Sequence, residues 1–102
     1  MFSGGDYHEV ARWLWNFLTS HAKREHPRIE VALDAEGERE GASYAATLTL
    51  GERATPPMEF AFREVADRRG DLAWCRALAE RTRALARAHL LTPRLAADAR
   101  RR

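Results

Sequence analysis

The chain is short of most features that announce a function. It has one cysteine in 102 residues, Cys75, so no disulfide can form within it, which suits a reducing compartment. No apolar run approaches the ~20 residues that span a bilayer. The opening Met1-Phe2-Ser3-Gly4-Gly5-Asp6 has neither the basic nor the apolar stretch of a secretory signal. A cytoplasmic protein without a membrane role is expected. No P-loop, G-x-G-x-x-G or G-x-S-x-G motif occurs, and no HExxH or CxxC pair. Enzymatic chemistry therefore has no visible carrier, and no cofactor, metal or small-molecule substrate is expected. Lysine is also scarce: one, Lys23, stands against sixteen arginines.

What is present describes a folded domain. Apolar residues make up 45% and charged residues 31%, too apolar for a disordered chain. The length suits one domain with one modest core, expected over residues 1–92, with 93–102 as a basic, disordered tail ending in Arg100-Arg101-Arg102. The net charge of +2 hides a strong asymmetry. Residues 28–66 hold four arginines against eight carboxylates, and residues 67–102 hold ten arginines against four.

The hydrophobic period changes along the chain. Tyr7, Val10, Leu14, Phe17, Leu18 and His21 recur at three- and four-residue steps, which predicts an amphipathic helix from about Asp6 to Glu25. Asp6 is its N-cap, with Glu9 three positions on, and Pro27 ends it. Three alternating segments follow. Ile29, Val31 and Leu33 alternate with charged or small neighbours, as do Tyr44, Ala46, Leu48 and Leu50, then Met58, Phe60 and Phe62. Period two with one apolar side predicts an antiparallel sheet covered on one face. The outer face would carry Arg28, Glu30, Asp34, Thr47, Thr49, Glu59 and Arg63. Thr55-Pro56-Pro57 would equally well open a helix over 58–65; the strand is preferred because such a helix would strand Phe60. A last helix is expected from about Asp71 to Leu91. Its apolar face would be Trp74, Cys75, Leu78, Thr82, Leu85 and His89, and its opposite face Arg76, Glu80, Arg83 and Arg87. The expected fold is α+β in the order αβββα, a three-stranded antiparallel meander with two helices on one face.

Two of the three tryptophans, Trp13 and Trp15, sit two residues apart on the first helix. At ~100° per residue they flank the stripe centred on Leu14 rather than fill it. One reading packs one indole on the last helix and uses the other to cap the sheet edge. The other leaves an indole exposed as an interface anchor for a second copy or another protein. The histidines on apolar faces, His21 and His89, read as core residues, and Cys75 as a buried inert thiol. Glu36, Glu38 and Glu40 read as a solvated loop, since a calcium loop needs a different spacing.

Arg68, Arg69, Arg76, Arg83 and Arg87 offer a basic stripe on the last helix, the footprint of a nucleic-acid binder. With it, the element order resembles the double-stranded-RNA-binding domain. That resemblance implies phosphate contacts from a basic cluster at the start of the second helix. Here that position reads Arg68-Arg69-Gly70-Asp71, with no lysine cluster. The preferred expectation is a non-enzymatic protein-interaction module, self-associating or binding another protein, with Trp13 and Trp15 at its interface. Nucleic-acid binding through the five arginines is the alternative.

Overall fold

The computed structural model describes residues 6–92. The expected tail lies outside them.

Helix α1 spans Tyr7–Glu25. Asp6 caps it as the sequence predicts: its Oδ1 accepts the Glu9 N–H at 2.7 Å, satisfying one of the donors that every helix start leaves open. Its buried stripe is Tyr7, Val10, Leu14, Leu18 and Ala22. Truncating Leu14 or Leu18, both fully buried, to alanine would cost about 2–5 kcal/mol.

The sheet is antiparallel and has four strands: β1 (Glu30–Asp34), β2 (Ser43–Leu50), β3 (Arg53–Ala54) and β4 (Met58–Ala61). β2 lies at its centre. One side of β2 pairs along β1, from Glu30 opposite Thr49 to Asp34 opposite Ala45. The other side pairs first with β4 and then with β3. β3 and β4 are thus one expected strand broken in two. Met58 lies opposite Ala46 and Ala54 opposite Thr49, so Thr47 and Leu48 face Thr55, Pro56 and Pro57. The extra residue is a bulge. Two prolines have no N–H for the ladder, and the Thr55 side chain repairs the gap. Its Oγ1 accepts the Leu48 N–H at 3.0 Å while its own N–H donates to the Leu48 carbonyl at 2.9 Å. The β2–β3 connection turns at Gly51, whose φ of 61° is the left-handed value a two-residue hairpin turn requires.

The third strand ends at Ala61, and Phe62 opens a short helix, α2 (Phe62–Arg68), that was not expected. Both readings of 58–65 thus hold in part, because the chain switches from strand to helix after Ala61. The polar loop contains a 3-10 turn, Gly37–Arg39. His89, expected on an apolar face, is exposed near the end of the last helix.

That last helix, α3, spans Leu72–His89. Asp71 caps it, accepting from Ala73 N and Trp74 N. Its buried line is Leu78, Thr82 and Ala86, with Leu90 just beyond. Arg53 of β3 donates to the Leu90 carbonyl at 2.9 Å, placing a cation at the negative end of the helix. Trp13 meets Trp74, and Glu25 meets Arg83 and Arg87, so α1 and α3 run side by side in the same direction. The helices and the inner side of the sheet share one core, in which Leu14, Leu18, Val31, Tyr44, Leu48, Phe60 and Leu78 are joined.

The other side of the sheet is open and carries the expected Glu30, Asp34, Thr47, Thr49 and Glu59. Register places Asp34, Ala45 and Glu59 in one row across three strands. Arg39 lies over that row. Its guanidinium holds Glu59 through two hydrogen bonds of 2.8 and 3.0 Å and reaches Asp34 at 3.4 Å. Ala45 is buried beneath it despite facing outward. Arg63 stands on α2 instead.

Candidate functional site

The two tryptophans leave α1 on opposite flanks. Trp13 goes to the α3 side, stacking on Phe17 with ring centroids 5.1 Å apart and on Trp74 at 6.4 Å. Phe17 in turn meets His21 at 4.5 Å. These rings form a half-buried row that seals the seam between the helices. Burial, with Arg24 and Arg83 nearby, pushes the His21 imidazole below its ordinary pKa.

Trp15 goes to the other flank. Its indole N–H donates to the Val31 carbonyl of β1 at 2.9 Å, yet the side chain stays 42% exposed. Among the described residues β1 pairs only with β2, so its far side is an unpaired edge. The ladder fixes which groups point there. Leu48 turns its N–H and C=O to Thr55. Its partner in register, Val31, therefore sits at a non-hydrogen-bonded position and aims its main chain away from β2, as does Leu33 two residues on. Trp15, Thr19, Lys23, Glu30 and Val31 line a groove along this edge. Lys23 donates to the Pro27 carbonyl, 2.9 Å distant. On the edge strand, Val31 and Leu33 face the core, while Glu30, Ala32 and Asp34 face out.

The edge of β4 is different. It is four residues long, follows two prolines and carries Glu59, already held by Arg39. Short length, proline and charge are the usual means of blunting an edge.

The arginine stripe does not stand free as a unit. Glu25, whose side chain is only 13% exposed, takes the Arg83 Nε at 2.8 Å and the Arg87 Nε at 3.1 Å. Those two hydrogen bonds hold the Glu25 carboxyl below its ordinary pKa. Arg83 and Arg87 thus turn towards α1. Arg68 bonds Asp71 at 3.1 Å. Arg76 is exposed and Arg69 half-buried. The structure therefore brings Arg83 and Arg87 together on a carboxylate and leaves Arg68, Arg69 and Arg76 near the start of α3.

Cys75 is half-buried, its thiol directed at the Arg69 carbonyl at 3.4 Å, and burial raises its pKa. Among the described residues no group of three or more His, Cys, Asp or Glu side chains converges, and no helix is long and apolar enough to cross a membrane. A cavity of about 140 Å³ between β4, α2 and α3 has Glu59, Glu64 and Arg81 as its charged lining.

Sequence reasoning placed one indole on the last helix and the other at the sheet edge, where Trp13 and Trp15 lie, but did not name the Val31 carbonyl, and it missed the hub at Glu25 and the Arg39 row. An indole N–H that flanks an apolar stripe calls for an acceptor, but nothing local names it. No family model matches the chain, and neither a curated protein nor a solved structure matches it.

Proposed function

We propose that this chain is a non-enzymatic protein-interaction module of a reducing, cytoplasmic environment, and that it acts through the edge of β1 and the exposed face of Trp15. One observation carries this reading. A large aromatic surface lies beside main-chain groups of Val31 and Leu33 that point away from the sheet. An added strand gains main-chain hydrogen bonds from such an edge, and tryptophan is the residue type most enriched where binding energy concentrates. The Val31 carbonyl keeps a second lone pair while it accepts the indole, and the indole reaches it from the helix layer. Trp13 has no comparable surface, because Trp74 and Phe17 cover it.

The arginine stripe favours nucleic acid less. Three of its five members, Arg68, Arg83 and Arg87, already hold carboxylates, and each would have to exchange that partner for a phosphate. The finer fold likeness to the double-stranded-RNA-binding domain is part of this second reading.

Light scattering across a wide concentration range tests self-association, and titration with duplex RNA and DNA tests the alternative. A complex, with a second copy or with an added extended peptide, that Trp15→Ala abolishes in a still-folded chain supports the module. Duplex binding that weakens steeply with salt, as counterion release requires, replaces it with the nucleic-acid reading.

A further inference from the structure

The side chains of the edge strand specify what kind of strand it accepts. Facing out, Glu30 and Asp34 carry negative charge, and Ala32 lies between them. Glu36 extends the acidic run beyond the strand. Asp34 shares Arg39 with Glu59, whereas Glu30 forms no ion pair among the described residues. Facing in, Val31 and half-buried Leu33 continue from the core to the edge, next to the exposed indole of Trp15.

An antiparallel strand laid on β1 sets its residues directly opposite these, at Cβ separations of about 4.5–5.5 Å. Opposite charges across such a pair attract and like charges repel. We propose that the partner is an extended segment of another protein with two basic residues four positions apart, opposite Glu30 and Asp34, and apolar residues at the two odd positions between them. This rests on the edge-binding reading above and adds the partner's chemistry to it. The apolar pair would cover Val31, Leu33 and the indole.

A second copy of this chain fits this edge poorly. Overlapping two β1 strands over their full length sets Glu30 of each opposite Asp34 of the other. Both ends of the pairing would then be like-charged, although the apolar positions match. The acidic row blunts self-pairing and leaves the edge open to a basic strand.

Two synthetic peptides test the inference, one built around Arg-Val-Thr-Val-Arg and one around Glu-Val-Thr-Val-Glu, with identical neutral flanks. Each is titrated into the full chain by calorimetry, and amide exchange is followed residue by residue. The basic peptide should bind roughly tenfold more tightly than the acidic one, with the Val31 and Leu33 amides slowed. High salt should narrow the gap, and Glu30→Lys should shrink or reverse it. Equal binding of both peptides with those amides slowed overturns the charge requirement and leaves the edge reading intact. Binding that leaves Val31 and Leu33 unprotected, or no binding of either peptide, overturns both. A dimer of the chain alone that slows the same two amides overturns the partner's identity in favour of a second copy.

Discussion

Trp15 and Val31 are joined by one hydrogen bond, indole N–H to strand carbonyl, 2.9 Å long. It fixes a helix flank to the sheet edge and holds a partly exposed aromatic ring beside unpaired main chain. Trp13, two residues earlier, instead closes the seam with α3. The two indoles should therefore respond differently to substitution. Trp13→Ala removes stacking on Trp74 and Phe17 and should cost about 2–4 kcal/mol, somewhat below the range for a fully buried tryptophan. Trp15→Phe keeps an aromatic ring and loses the hydrogen bond, for about 0.5–1.5 kcal/mol. Urea unfolding of the two variants measures both, and the order of their midpoints is the check.

Thr55 at the bulge makes a sharper prediction. Its hydroxyl is the acceptor of the buried Leu48 N–H. Thr55→Val preserves shape and strands that donor, so stability should fall by about 1–3 kcal/mol. Thr55→Ser keeps the acceptor and should recover part of the loss. Amide exchange at Leu48 should quicken in the valine variant and stay slow in the serine variant.

Acid should loosen the contact between α1 and α3. Arg87 and Arg83 hold the Glu25 carboxyl below its ordinary value of 4.5. A lowered folded pKa contributes stability that is complete above the unfolded value and lost as pH falls through the folded one. The loss should therefore begin as pH drops below about 4.5 and continue downward. Glu25→Gln should remove this contribution, flattening the acid limb of a thermal-melt series. The variant should also bind duplex more tightly at low salt only if Arg83 and Arg87 are phosphate ligands.

His21 acts in a higher window. Burial, then Arg24 and Arg83, lowers its pKa from 6.5. The unfolded chain binds the proton more readily, so stability should decline as pH falls from above 6.5 towards the folded value. His21→Phe extends the ring row and has nothing to protonate. Melting temperatures between neutral and mildly acidic pH should slope less in that variant than in the wild type.

Much of the fold was legible because it is local. Asp6 and Asp71 announce their helices through short side chains that cap main-chain N–H groups a few residues on. The alternation about Val31 and Leu48 marks strands because side chains on a pleated backbone change face at every residue. The break at Pro56-Pro57 was less legible. Proline predicts an interruption, but the repair by Thr55 depends on a register set by the whole of β2. Phe62 misled because its spacing continues the strand while its backbone already belongs to α2.

The sequence by itself determined the α+β class, the strip of α1 that enters the core, and the existence of two tryptophans too far apart for one face. It also determined the acidic middle and the basic end, since these need only counting. Tertiary structure alone decided which indole seals a helix seam and which borders an open strand. It alone turned Arg83 and Arg87 onto Glu25, 58 and 62 residues away in the chain. It also set Arg39 across Asp34 and Glu59. The physical reason is common to all three. A hydrogen bond or ion pair acts over a few ångströms, and which groups lie within that range follows from packing and register rather than from spacing along the chain.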